Sequence, residues 1–363
     1  MKVARLGGDE FGLLISTAAL GRDVVEFCED VSQRVGQPVR IGDAAVSPGC
    51  SCGVAMSGEA DRDAGGLFDH ADRALYFSKE HRRGTVTLYA KEHDELIQVE
   101  RALEAALQAA AWPAEFDLHY QPIVDLASNT VVLVEGLARW TSPRLGPVPP
   151  SRFVPVAERC GLIHGLTLLL LDKALTDIRE LPPEIGLSFN LSSHDLTSSD
   201  AVSEIIAAIR RSGVAPGRLT FELTETALLA DLDAASRSIS LLRSLGVRVA
   251  LDDFGTGYSS LGYVHRLGLD KIKIDRSFVA NVDTPIGEGI VKTILHLCEN
   301  LGLECIAEGV ETAEQRASLQ AFGCRLIQGD LIGKPVPMRQ LSAETGAAAP
   351  SPPAAVADAA QAA

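Results

Sequence analysis

Val247-Arg248-Val249-Ala250-Leu251-Asp252-Asp253-Phe254-Gly255-Thr256-Gly257-Tyr258-Ser259-Ser260-Leu261 begins as a branched, apolar run of strand type. It stops at two adjacent carboxylates and enters a loop punctuated by glycines. Neighbouring anions at a strand end repel each other unless a cation lies between them. Adjacent aspartates whose oxygens can bridge are one way to hold a pair of Mg²⁺ or Mn²⁺ ions. Taken alone, the same pair makes a helix N-cap and a solvated turn residue just as well. What it means depends on what else the chain brings to strand ends.

Runs of strand type lie at 118–124, 130–137, 186–191, 219–223, 247–251, 270–274, 303–307 and 325–328, and helical patterns fill most of the gaps, at 163–180, 200–212, 233–245, 286–301 and 312–322. Strands alternating with helices over 115–341 approach the ~250 residues of an α/β (β/α)₈ barrel of the TIM type. The first two strands are joined only by Ala127-Ser128-Asn129, too few residues for a parallel crossover. A barrel with one antiparallel strand is therefore expected.

Polar residues recur where these strands end: Gln121, Glu135, Asn190, Glu222 with Glu225, Asp252 with Asp253, Lys273, Glu308 with Glu311, and Gln328. Barrel active sites form where strand ends gather their loops. Singly, each residue reads as a solvated strand end, a turn residue or a snorkelling charge. Together, so many carboxylates in one place would protonate or unfold the site without cations. Ligands drawn from Glu, Asp and Asn, with no His or Cys, suit Mg²⁺ or Mn²⁺ better than zinc.

The chain has 363 residues, 46% hydrophobic and 22% charged, and a formal net charge of −15. That balance disfavours duplex DNA or RNA and anionic membrane as partners. The seven cysteines (28, 50, 52, 160, 298, 305, 324) are odd in number and lack framework spacing, which fits reduced thiols. With no leader pattern and no apolar run of ~18 residues, a cytoplasmic location without a membrane segment is expected.

The blocks Tyr120-Gln121-Pro122-Ile123, Glu135-Gly136-Leu137, Arg139-Trp140, Asn190-Leu191-Ser192, Glu222-Leu223-Thr224-Glu225, Asp252-Asp253-Phe254-Gly255-Thr256-Gly257, Lys273-Ile274-Asp275, Glu308-Gly309-Val310-Glu311 and Gln328-Gly329 resemble, in order, those of the EAL family of cyclic di-GMP phosphodiesterases. The resemblance covers 115–341. It implies two-metal hydrolysis of cyclic di-GMP to linear 5′-pGpG, with a weakly active cyclic di-GMP receptor as the alternative, and a homodimer formed through the barrel. Carried over by position, it makes Glu135, Asn190, Glu222, Asp252 and Asp253 ligands of two Mg²⁺ or Mn²⁺ ions. Lys273 and Glu308 would act on the attacking water, and Glu225 would brace the glycine loop. Gln121, Arg139, Glu311 and Gln328 would face the substrate. Gly136, His194-Asp195 and Asp330 depart from the family's usual residues without removing a ligand, and loop 255–260 reads as intact.

Residues 1–90 read as hairpin, helix (20–35), strand (44–56), helix (66–80) and strand (85–89). Arg5-Leu6-Gly7-Gly8-Asp9-Glu10-Phe11 and Ala71-Asp72-Arg73-Ala74-Leu75-Tyr76 resemble the GGDEF family of diguanylate cyclases, in which Gly7, Gly8, Asp9 and Glu10 would approach GTP and serve metal and catalysis. The family's first half has no counterpart here, so 1–90 is expected to be a partial domain and not an active cyclase. A connector helix is expected within 91–113, with Trp112-Pro113 ending it. The barrel domain is placed at 114–341, and an Ala/Pro-rich tail at 342–363 is expected to be disordered.

Overall fold

Ala127-Ser128-Asn129 does reverse the chain. Asp125 accepts a hydrogen bond from the Ala127 amide at 2.7 Å, Asn129 N–H returns to the Asp125 carbonyl at 2.8 Å, and Asn129 takes the left-handed φ of 53° that asparagine tolerates. The tight turn pairs β7 (Phe116–Asp125) antiparallel with β8 (Thr130–Ser142). In the computed structural model, which describes residues 1–42, 44–57, 63–81, 83–225, 228, 231–255 and 267–345, the remaining barrel strands are β10 (Gly186–Asn190), β11 (Leu219–Thr224), β12 (Arg248–Phe254), β13 (Lys271–Ile274), β14 (Glu304–Ala307) and β15 (Leu326–Gln328). They run parallel in that order from β8. Pairing of β15 with β7, again antiparallel, closes the barrel. The expected reversed strand is β7, flanked on both sides by strands of opposite direction. A short strand outside the sequence reading, β9 (Gly146–Val148), extends β8.

Alternation along each strand sorts side chains to two sides. On β10, Leu187 and Phe189 face one way and Ser188 and Asn190 the other. On β11, Phe221 and Leu223 oppose Thr220 and Glu222. Phe189 and Phe221, both buried, meet edge-on at 6.5 Å, and the helices Ile163–Asp177 and Ser199–Ser212 bury apolar faces of their own. Where the chain enters the barrel, Phe116, Trp140 and Phe153 form an aromatic cluster with centroids 5.3–5.8 Å apart. The Trp140 indole N–H donates to Glu115 at 3.0 Å, which satisfies the one polar atom of a buried ring.

The chain divides into two compact units, Met1–Ala105 and Ala106–Ala363. In the first, β1 (Lys2–Gly7) and β2 (Glu10–Leu14) form the expected hairpin. The strand expected over 44–56 is in fact two. β3 (Val39–Ile41) pairs with β4 (Ala44–Val46), and β5 (Cys52–Val54) pairs parallel with β6 (Val86–Leu88). The break falls at Pro48-Gly49, where proline withholds a ladder N–H. Among the described residues of this unit, the buried apolar side chains are few: Cys28, Val54, Ala74, Ile97 and Leu103.

Two further expectations are corrected. The connector helix ends at Gln108, and Trp112–Glu115 is a separate short helix with Pro113 in its first turn, where a missing N–H costs nothing. Of the tail expected to be disordered, residues 342–345 belong to a helix, Met338–Thr345, anchored by buried Met338 and Leu341, and residues 346–363 lie outside the described residues. All seven cysteines are free thiols. Among the described residues no helix is long and apolar enough to cross a membrane.

Candidate active site

Lys273 lies inside the barrel, 1% exposed, with its ammonium 2.6 Å from Glu308, 2.7 Å from Glu222, 3.3 Å from Asp252 and 3.4 Å from Glu135. Four strands thus converge on one nitrogen. Glu135 comes from β8, Glu222 from β11 and Asp252 from β12, while Glu308 follows β14 directly. Glu222, Asp252 and Glu308 stand at or near the carboxyl ends of their strands, where barrel sites form, and Glu135 lies midway along the long β8, in register with Ser188 of β10.

A second layer of hydrogen bonds fixes this ring. Glu222 is fully buried and accepts from the Ser188 hydroxyl at 2.5 Å. Glu135 accepts from the Asn190 amide at 2.9 Å and from Gln328 at 2.7 Å. Gln328 also donates to Gln121 at 2.9 Å, and Gln121 donates to the Gly333 carbonyl at 3.0 Å. Among the described residues, the buried Gln328 Oε1 has no partner and is an acceptor in reserve.

The ring holds more negative charge than Lys273 can neutralise. Burial drives Glu222 well above the usual carboxylate range, and Glu135, Asp252 and Glu308 add to this while Lys273 opposes it. Burial likewise pushes Glu308 up to about 8 against the pull of Lys273, with Asp252 and Glu135 reinforcing it. Asp253 is raised by burial, then by Asp252 and Asp275. Burial acts the same way on Glu135, but Lys273 foremost, with hydrogen bonds from Gln328 and Asn190, holds it below the ordinary range. Lys273 in turn is held protonated: burial works against its charge, and the surrounding carboxylates more than offset that.

Such an excess is what a divalent cation relieves. Asp252, Asp253 and Glu308 each offer a carboxylate oxygen, all within 4.8 Å of one another. The donors are all oxygen, so the residues fit a hard divalent cation. Asp253 reaches this position with a left-handed φ of 54°, a conformation that aspartate accepts at a cost and that clusters at functional sites.

The other expected residues are placed as follows. Glu225 is half-buried and accepts the Gly255 amide at 3.2 Å, bracing the first loop residue; Gly255 has φ 94°, which needs glycine. Loop residues 256–260 lie outside the described residues. Arg139 is half-buried, its guanidinium donating to the Ala138 carbonyl at 2.9 Å. Glu311 is exposed, and it is its backbone N–H, held by Gln315 at 2.8 Å, that is fixed. In the first unit Gly8 takes φ 51° at the hairpin turn, and exposed Glu10 meets Lys79 at 3.4 Å.

The three departures have physical accounts. A Cβ at Gly136 would touch Tyr120, Leu187 and Phe189 only at 3.6–3.7 Å, so the glycine is not required by space. Asp330 is exposed and lies 3.7 Å from Lys334. Asp195 is fully buried, closing a capping box with Ser192 and accepting from Thr167 and His164, each at 2.8 Å. Sequence reasoning passed over Ser188, His164 and Thr167. Only Ser188 left a trace, as the residue two before Asn190 on the same strand face.

A family model described as "EAL domain" matches residues 100–335, and one described as "Diguanylate cyclase, GGDEF domain" matches residues 1–85. An uncharacterized signaling protein of Caulobacter vibrioides is 36% identical over 96% of this chain and 43% of its own length. The bifunctional diguanylate cyclase/cyclic di-GMP phosphodiesterase MucR of Pseudomonas aeruginosa is 34% identical over 94% of this chain and 50% of its own length. The chain thus spans about half the length of these curated relatives. A solved structure described as the PaMucR phosphodiesterase in a c-di-GMP complex superimposes with a TM-score of 0.63 at 36% identity, over 66% of this chain and 99% of that one. The order of the sequence blocks, the reversed barrel strand and the family match agree, and the chain belongs to the EAL domain family.

Proposed function

We propose that this protein hydrolyses cyclic di-GMP to linear 5′-pGpG with two Mg²⁺ or Mn²⁺ ions. The observation that carries the reading is the ring of Glu135, Glu222, Asp252 and Glu308 around Lys273, with Asp253 beside it. Glu135, Asn190, Glu222 and Asp252 would hold one ion, and Asp252 and Asp253 the other, with Glu308 in reach of the second. Such ions would offset phosphodiester charge and supply a water of lowered pKa.

The chain's own groups do the rest. Lys273, kept cationic by its neighbours, favours the ionised form of a water beside it and keeps the carboxylates from repelling substrate. Glu308, 2.6 Å from Lys273, accepts from and orients that water. Arg139 supplies a planar fork for phosphate that lysine would not reproduce. Gln121 and Gln328, tied to each other and to Glu135, line the guanine side. The water oxygen bonds to phosphorus, the P–O3′ bond breaks, and O3′ takes up a proton, leaving a 5′-phosphate. Dimerisation through the barrel and a cytoplasmic location belong to the same proposal.

Chromatography of cyclic di-GMP incubated with the protein and Mn²⁺ tests this. Formation of 5′-pGpG that stops with a chelator and in Glu135→Ala is expected. Intact cyclic di-GMP bound by the unmodified protein would mean a receptor.

A further inference from the structure

Glu222 is 0% exposed and carries two oxygens with separate partners: Oε2 accepts from Lys273 at 2.7 Å, and Oε1 accepts from the Ser188 hydroxyl at 2.5 Å. Ser188 is itself fully buried. On β10 it lies in register with Glu135 of β8 on one side and Thr220 of β11 on the other. It shares its strand face with Asn190, two residues on. The hydroxyl therefore sits level with Glu135 and one layer below Asn190 and Glu222, between the strands that carry Glu135 and Glu222. Lys273 alone could hold a carboxylate by one oxygen and leave it free to turn about that contact. A second donor on the other oxygen removes that freedom.

We infer that Ser188 is a positioning residue that fixes the orientation of the Glu222 carboxylate and so sets the affinity of the barrel for its divalent ions. This rests on the two-metal reading above. A buried hydroxyl donating to a ligand carboxylate belongs to the class of outer partners whose loss costs about 10–100-fold in metal affinity or activity. Ser188 makes no contact with substrate in this account, so its removal acts through the metal.

Mn²⁺ binding to the full chain, measured by equilibrium dialysis without substrate, tests the inference with Ser188→Ala and the near-isosteric weak donor Ser188→Cys. Both variants are expected to bind Mn²⁺ about 10–100-fold more weakly. Turnover should recover at high Mn²⁺, with KM for cyclic di-GMP little changed. Unchanged Mn²⁺ affinity in Ser188→Ala overturns the inference. So does Ser188→Cys binding like the unmodified protein while Ser188→Ala does not, because packing alone would then explain the loss. In either case the phosphodiesterase reading stands if the unmodified protein binds Mn²⁺ and forms 5′-pGpG. If it does neither, that reading falls and the inference with it.

Discussion

Replacing Lys273 by Met would leave Glu135, Glu222, Asp252 and Glu308 facing one another without the cation that now lies within 3.4 Å of each. Removing one partner from a buried ionic cluster costs about 3–5 kcal/mol. Denaturant unfolding in a chelator should show Lys273→Met destabilised by about that much, and Mn²⁺ should recover more stability in the variant than in the unmodified protein. Equal stability of the two in chelator would mean that the ring is not held by Lys273. Gly136→Ala is expected to act in the other direction. Its Cβ has room and the backbone there does not need glycine, so about 0.4–1 kcal/mol of stabilisation through the unfolded state is expected, read as a higher denaturation midpoint. The acidic residues of the ring were legible because so many of them recur at expected strand ends and in the order of a known family's blocks, although Glu135 proves to lie midway along β8. Ser188 was not, because a serine within a strand has many. Asp195 read as a change in a loop, and nothing in its neighbours along the chain announced that His164 and Thr167 would reach it from a different helix.

Asp195 also illustrates how a short element is held in place. The helix Ser193–Thr197 follows directly on β10 and Asn190, and its capping box is reinforced by His164 from the first turn of the helix Ile163–Asp177. Burial lowers the His164 pKa, but the hydrogen bond and charge of Asp195, then Glu204 at 3.4 Å, raise it above the ordinary value. A folded-state pKa above the unfolded one stabilises fully below ~6.5 and loses that contribution as pH rises through the folded value. The gap in melting temperature between the unmodified protein and His164→Gln should therefore be widest at mildly acid pH and narrow as pH is raised. A gap independent of pH would assign His164 a packing role alone. The barrel strands themselves were readable from apolar runs bounded by turn residues. β9 and the helices Pro150–Arg159 and Ser193–Thr197 were not, since they are short or lack a sustained period.

At the scale of the whole chain, it is the barrel that gathers buried carboxylates around a single cation. Among the described residues the cluster with metal-ligand geometry is Asp252, Asp253 and Glu308. Asp9 and Glu10 sit on an exposed hairpin, with Glu10 turned to Lys79. Incubation of this chain with GTP and Mg²⁺ or Mn²⁺ is therefore expected to yield no cyclic di-GMP; product from GTP would show that the N-terminal unit builds a working site by another route. The barrel's closure, with β7 reversed between β8 and β15, could be anticipated from a three-residue turn. The division at Ala105 within the helix Lys91–Gln108 could not, because an amphipathic helix gives no sign of where along its length its packing changes partner. The proposal that the carboxylate ring holds two ions is open to direct observation. Manganese anomalous scattering from crystals equilibrated with Mn²⁺ tests it most directly. Two peaks, one among Glu135, Asn190, Glu222 and Asp252 and the other against Asp252 and Asp253, are the expected result; peaks elsewhere, or none at the ring, would contradict the account.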